Sequence, residues 1–324
     1  MKDNTKNEKS LQHFKMLWQR YGTIGIFLLL IIILTIIKPS AVFTPSSIVQ
    51  ILRQSAVNIL LSLGEFFAIL IAGIDLSVGA VAGLTGMIAA KLMVAGIPVG
   101  AAIFVCILAG TAIGWINGTL VNKTGLHPFI ITLGTQSIFF GIMLVVSNSR
   151  NVFGFPASFS TLMNASFLFV PVPVVIALVV ALFCWFFTTK TKAGRNIYAL
   201  GGDIQSAWFS GVNVDLHRLI VFMISGTCSG IAGIVLLGRL GAAAPTAGTG
   251  YETYAIAAAI IGGTSFFGGK GKVLGVVIGG LIIGVINYGM TALTIPSSYQ
   301  KIVMGMLIII AVTIDHFVGA KNNR

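Results

Sequence analysis

Gly262–Lys272, GGTSFFGGKGK, has the glycines and lysines of a loop that could cradle a phosphate. Such a loop needs Gly, four residues, then Gly-Lys-Ser/Thr, so that backbone N–H groups, an ammonium and a hydroxyl converge on the phosphate oxygens. Counting back from Gly269–Lys270 puts Thr264 where the first glycine belongs, and Gly271 stands where the hydroxyl belongs. The pattern fails and no other nucleotide-binding motif is present, so the chain is expected to bind no ATP of its own. His13, His127, His217 and His316 lie at or near the ends of apolar runs and belong to no HExxH or GxSxG pattern. Cys106, Cys184 and Cys228 lie inside apolar runs without metal spacing and are read as small membrane-facing side chains. No catalytic residue, metal or bound cofactor is expected, and the chain does not read as an enzyme.

Two acids deep in apolar sequence remain. An ionisable group at membrane depth costs roughly 3 kcal/mol on insertion scales, so it faces a cavity or a partner. Glu65 is expected to point toward a pore or a dimer axis. Asp75, in GIDLSVG, has two readings: a pathway or gate residue, or a cap for a helix starting near Leu76.

Composition says why acids are so few. Of 324 residues 56% are hydrophobic and 9% charged, with mean hydropathy +0.99; a soluble domain carries about 25% charged residues. The 39 glycines suit helices that approach closely in lipid. Ten apolar runs are candidate spans: Tyr21–Ile37, Ala56–Ile74, Ser77–Leu92, Val99–Leu120, Phe129–Val146, Phe167–Thr188, Leu219–Leu237, Ala255–Phe267, Val273–Met290 and Ile302–Ile314. Spanning takes about 20 apolar residues at 1.5 Å each, and several runs are shorter, so eight or nine spans also fit. Without the alternation of a barrel strand, the fold class is all-α, a polytopic integral membrane protein of about ten transmembrane helices. Residues 1–20 are expected to form a cytoplasmic N-terminal tail, 21–317 the transmembrane domain with a cytoplasmic loop at 189–218, and 318–324 a cytoplasmic C-terminal tail. Ala255–Phe267 is short enough for a half-helix, and short, glycine-interrupted segments point to a translocation path, although close packing explains them equally well.

Charge placement fits ten spans with both termini cytoplasmic. Lys2, Lys6, Lys9, Lys15, Arg20, Lys123, Lys190, Lys192, Arg195, Arg218, Lys270, Lys272, Lys321 and Arg324 then fall inside. Lys38, Arg53, Lys91, Arg150, Arg239 and Lys301 fall outside, 14 against 6 of the 20 basic residues. That is the direction of the positive-inside rule. The net charge of +12 therefore reports topology rather than nucleic acid.

The longest internal loop, residues 189–218, is also the most polar. Asp203 is a good N-cap and Gly211 a good C′ residue, with two helical turns over Ile204–Ser210 between them. Ile204 and Trp208 share a face with Phe209 beside them. Such a helix is either an interfacial anchor or a docking knob for a cytoplasmic partner.

Three separated stretches, in order, carry a resemblance: AGIDLSVGAVAGL (Ala72–Leu84), KAGRNIYALGGDIQSAWFSGVNV (Lys192–Val214) and AIAAAIIGGTSFFGGKGKVLGVVIGGL (Ala255–Leu281). The chain resembles, from about Tyr21 to Asp315, the permease subunit of bacterial sugar ABC importers of the ribose, allose, galactose and xylose type. That wider family also includes branched-chain amino acid permeases. The resemblance implies an inner-membrane permease dimer, cytoplasmic ATP-binding-cassette subunits that use the ATP, and a periplasmic or lipid-anchored sugar-binding protein. It makes Ala199–Gly211 the segment seated in the ATPase, with Gly194, Arg195, Gly202, Asp203, Ile204, Ser206, Ala207, Trp208 and Gly211 as coupling residues. The family more often has Asn at the place of Asp203 and Ala at that of Ser206, and Trp208 is bulky for its place.

Pathway or gate candidates are Glu65, Asp75, Phe66, Asn117, Gly262, Gly263 and Asn287, with Phe67, Trp115 and Tyr288 as further sugar-facing aromatics. The outside loop Ser147–Ser166, with Arg150, Asn151 and Asn164, is long enough to touch a binding protein. The alternatives are an ABC permease of the same family for another small polar solute, such as a branched-chain amino acid, and an ion-coupled secondary transporter, which would need charged relays in several helices where only Glu65 and Asp75 qualify.

Overall fold

The computed structural model describes residues 23–39 and 44–320. Each of the ten apolar runs overlaps a helix, although the ends of several runs fall in turns or strands. The helices are α1 (Thr23–Ile37), α2 (Pro45–Leu70), α3 (Val78–Val94), α4 (Val99–Thr124), α5 (Pro128–Ser147), α6 (Ala157–Asn164), α7 (Val172–Lys190), α8 (Lys192–Gly202), α9 (Ile204–Phe209), α10 (Val214–Leu240), α11 (Tyr251–Ile261), α12 (Val273–Ala292) and α13 (Ser297–Ala320). Thr44 caps α2 by accepting from Ser47 N at 3.1 Å, and Pro45 supplies a pre-set φ, so α2 starts eleven residues before its apolar run. Five helices, α4, α5, α7, α10 and α12, are long and apolar enough to cross a membrane. The apolar helices α1, α3, α11 and Ser297–Thr313 are shorter. The chain is a mostly helical, multi-pass membrane protein.

Helix α2 is the hub. Residues 55 to 70 are all buried, and they include Ser55, Asn58, Ser62 and Glu65 among the apolar side chains. It packs against α10, α12, α11 and α7. In contrast, α4 buries only one stripe, with Cys106, Gly110, Gly114, Asn117 and Val121 inside and Phe104, Leu108 and Trp115 at least half exposed. Cys106, Cys184 and Cys228 are free thiols at 0%, 1% and 3% exposure. The expectation that they face the membrane is therefore corrected: they pack inside the bundle, where a small thiol fits between close helices.

Hydrogen bonds define two ends. At one, Asn122 Nδ2 donates to Asp215 O at 2.7 Å, Gly269 N to Leu70 O at 2.9 Å, and Asp315 Oδ2 accepts from Phe266 N at 3.0 Å. At the other, Lys38 Nζ donates to Ala292 O at 2.6 Å, Arg53 grips Asn164, and Val152 and Ala243 bond each other's main chain. The described basic residues assigned to opposite sides of the membrane fall at these opposite ends. The loop after α5, read as long enough to touch a binding protein, carries α6, and a short antiparallel pair, β1 (Ser166–Phe167) and β2 (Val170–Pro171), takes the start of the run read as the span Phe167–Thr188.

After α10 the chain does not simply turn back. From Gly241 to Gly250 it re-enters the bundle as irregular backbone, and a Cβ at Gly79 or Gly83 of α3 would strike the carbonyl oxygens of Gly248 or Ala247. Only then does α11 begin, and its 11 residues rise about 16 Å. Non-helical backbone at this depth is tolerated because protein covers it. The short apolar run Ala255–Phe267 is an 11-residue helix displaced to Tyr251–Ile261, with Phe266 and Phe267 in the turn that follows.

Candidate functional site

The polar segment builds two helices, not one. α8 was not visible in the apolar pattern. It starts where Thr191 Oγ1 accepts from Gly194 N at 3.0 Å, and Gly194 lies so close to α7 that a Cβ would strike Phe187 O. Ile197 and Leu200 are buried under it, while Arg195 and Gly202 face outward. Asn196 ties α8 to α10: its Nδ2 meets His217 Nε2 at 3.1 Å, and His217 Nδ1 lies 2.6 Å from Asn213 O. A carbonyl can only accept, so Nδ1 carries the proton and Nε2 accepts from the amide.

α9 follows the cap chemistry read from sequence. Asp203 Oδ1 accepts from Ser206 N at 2.6 Å, and that N–H holds the carboxyl below the ordinary carboxylate range. Gly211 takes φ +81°, with its N–H on Trp208 O at 2.9 Å and Val212 N on Ala207 O at 3.1 Å. Ala207 is the buried foot of the helix. Ile204, Ser206, Trp208 and Phe209 are exposed, Trp208 at 63% and Phe209 at 79%, with their rings edge to face at 5.0 Å. A groove of about 810 Å³ runs beside them, lined also by Gln205, Asp215 and Arg218.

The residues named for a pathway divide differently. Glu65 is fully buried, and its Oε1 accepts from Asp75 N at 3.2 Å. Asp75 Oδ1 takes Ser77 N at 3.1 Å and Ser77 Oγ at 2.6 Å, and Oδ2 takes Ser225 Oγ of α10 at 2.7 Å. Asn117 Nδ2 donates to Ser77 Oγ at 2.8 Å. Asp75 thus fastens the turn before α3 rather than capping the helix itself, which begins at Val78 with Ser77 as its flanking residue. Phe66 and Phe67 are buried, Phe67 against Phe187 at 5.8 Å, and Trp115 faces out from α4. Gly262 packs on the backbone of Gly275, and Gly263, at φ +87°, turns the chain in the open. Asn287 is buried in α12. Apart from Trp115 and Gly263 these residues lie inside the bundle, where Glu65 Oε2, Asn117 Oδ1 and Asn287 Oδ1 are buried without a hydrogen-bond partner.

In the glycine-rich turn the Gly269 N–H is bonded to Leu70 O and the Ser265 N–H to Lys270 O, both at 2.9 Å. Among the described residues, no group of three or more His, Cys, Asp or Glu is placed to hold a metal. His13 and the terminal lysines fall outside the described residues.

Comparison with known proteins decides the family. Residues 47–312 match the family described as branched-chain amino acid transport system / permease component. The chain belongs to this permease family. It is 55% identical to the D-allose transport system permease protein AlsC of Escherichia coli (strain K12) over 97% of this chain and 96% of AlsC. With the ribose import permease protein RbsC of Bacillus subtilis (strain 168) it shares 39% over 97% and 98%, respectively. The galactose/methyl galactoside import permease protein MglC of Salmonella typhimurium (strain LT2) shares 35% over 97% and 98%. No solved structure matches the chain. The permease is a transport component and not an enzyme.

Proposed function

We propose that this permease is the membrane subunit of an ATP-driven, binding-protein-dependent importer of a monosaccharide, with an aldose such as D-allose or ribose as substrate. The observation that carries this is identity to the D-allose permease across nearly the whole chain of both proteins. Two copies form the translocation pathway in the inner membrane, an ATP-binding-cassette subunit uses ATP on the cytoplasmic side, and a periplasmic protein delivers sugar. The geometry supports α9 as the docking knob. Trp208 and Phe209 stand beside a groove that also carries Asp215, Arg218 and Gln205, and that mixture of aromatic, acid, base and amide suits a protein surface better than lipid acyl chains. An ion-coupled transporter gains no support: Glu65 Oε1 accepts from the Asp75 main-chain N–H and Asp75 is held by Ser77 and Ser225, and the relatives are named as sugar permeases.

Trp208→Ala tests the docking. An aromatic anchor costs about 2 kcal/mol on truncation, a roughly thirty-fold weaker contact. The variant should reach the membrane at the parental level, fail to copurify its cognate ATP-binding-cassette subunit in detergent, and lose sugar uptake. Retention of that subunit with parental uptake would make α9 a membrane anchor.

Orientation is tested separately. Arg150 and Lys192 are exposed at opposite ends of the bundle, and the native thiols are buried. In intact cells an impermeant maleimide should label Arg150→Cys and leave Lys192→Cys unlabelled until the membrane is opened. The reverse pattern would turn the protein over in the bilayer.

A further inference from the structure

Three turns meet at the end of the bundle that carries α9: the end of α2, the end of α8, and the turn between α11 and α12. They meet as main chain on main chain. A Cβ at Gly201 would collide with Leu70 O and come 2.6 Å from Gly269 N; at Gly268 it would come 2.7 Å from Gly201 O. Gly269 N donates to Leu70 O at 2.9 Å, and Tyr198 of α8 donates its hydroxyl to Gly271 O at the same distance. Burial pushes the Tyr198 hydroxyl above its ordinary value, so it remains a donor.

A side-chain contact can absorb a push by changing rotamer. Peptide units at van der Waals distance have no such freedom, and close-packed interiors transmit displacement. Asp203, two residues after Gly201, is already the cap of α9. A pull on α9 therefore reaches Gly201 within one turn of backbone and passes to Leu70 and Gly269 without an intervening side chain. The elements it reaches are α2, the buried hub, and the turn after the short apolar helix α11.

We propose that Gly201 is the positioning joint of the transport cycle: it converts movement of the docked α9 into movement of α2 and the α11–α12 turn. The proposal rests on the reading that α9 docks the ATPase, and it adds where the motion goes. The joint needs glycine because only hydrogen fits between α8 and Leu70 O.

The test uses permease, its cognate ATP-binding-cassette subunit and binding protein in proteoliposomes, and reads sugar transported per ATP hydrolysed. Gly201→Ala should copurify the ATPase as the parent does and continue to hydrolyse ATP, while the ratio falls about ten-fold, the scale of overpacking against rigid atoms. Tyr198→Phe adds no volume and removes one hydrogen bond, so the ratio should fall about three-fold. Gly134→Ala in α5, where a Cβ meets nothing within 4 Å, should keep the parental ratio. A parental ratio in Gly201→Ala overturns the joint, and so does loss of the ATPase from that variant, which would mean the glycine only shapes the docking surface. If Gly201→Ala does not accumulate, Tyr198→Phe decides: a lowered ratio supports the joint and a parental one overturns it. Failure of the docking reading is seen elsewhere, in Trp208→Ala that keeps its ATPase.

Discussion

Asp75→Ala is expected to lose at least about a hundred-fold of uptake and most of the folded protein, while Asp75→Asn keeps a substantial fraction of both. The carboxyl is 1% exposed and accepts three hydrogen bonds, from Ser77 N, Ser77 Oγ and Ser225 Oγ. These join the α2–α3 turn to α10, and Asn117 of α4 enters through Ser77 Oγ. A hydrogen bond contributes about 0.5–1.5 kcal/mol, and an orphaned buried donor costs about 1–3 kcal/mol. Loss of the acceptor leaves Ser77 N with no substitute, while the two hydroxyls must find backbone carbonyls. Two such terms already reach about 3 kcal/mol, above the hundred-fold threshold. Asparagine retains an oxygen for Ser77, and the Ser225 hydroxyl can rotate to accept from the new amide. Thermal melts by fluorescence-detected size exclusion, with uptake per folded molecule, separate the two variants. Equal melting of Asp75→Ala and the parent would show that the turn is held by packing alone.

How much of this was legible beforehand follows from how local each cause is. α9 could be read to within a residue because Asp203 and Gly211 act over three or four residues, and the structure gives Ile204–Phe209 with those caps. α8 could not: KAGRNIYALGG is short, carries three glycines and turns only Ile197 and Leu200 strongly inward, so neither propensity nor an apolar run announces it. Span ends slipped where caps lay beyond the hydrocarbon, as at Thr44–Pro45 and Asn213. Glu65, Asp75 and Asn117 stood out as polar residues in apolar sequence, but that Asn117 and Ser225 reach the turn at Asp75 from other helices is not written in their neighbours. The cysteines were misplaced because an apolar run does not say which of its faces meets lipid. The joint at Gly201 was the least visible, since residues 70, 201 and 269 meet through backbone atoms that every sequence has. Its trace is two glycine pairs, Gly201–Gly202 and Gly268–Gly269.

Gly114→Leu should prevent a stable permease from accumulating, and Gly114→Ala should do so in part. Gly110, Gly114 and Gly118 repeat every four residues along α4, a spacing that was present in the sequence and marks a face for close helix approach. Across from it, α10 presents Phe222 O, Gly226 and Gly230. A Cβ at Gly114 would strike Phe222 O, and one at Gly226 would strike Gly110 O. Thr111 and Thr227 share a hydroxyl contact of 2.7 Å, and Cys106 Sγ reaches Gly230 O at 3.4 Å. Lipid tails are as apolar as leucine, so these helices gain little from hiding hydrocarbon and depend on close contact. Leucine at 114 must lift α10 by the width of a side chain. That also withdraws Ser225 from Asp75 and Gly233 from the Gly86 backbone, so the damage is shared by three interfaces. Overpacking alone costs about 1–3 kcal/mol, and occasionally more, against a rigid neighbour. Gly100, in the first turn of the same helix, has nothing within 4 Å of its Cβ, and Gly100→Ala should be neutral or stabilise by about 0.5–1 kcal/mol through the unfolded chain. The measurement is membrane accumulation and melting temperature of the three variants side by side. If Gly114→Leu accumulates and melts as the parent does, α4 and α10 are not in backbone contact, and the route by which Asp75 reaches α10 through Ser225 falls with it.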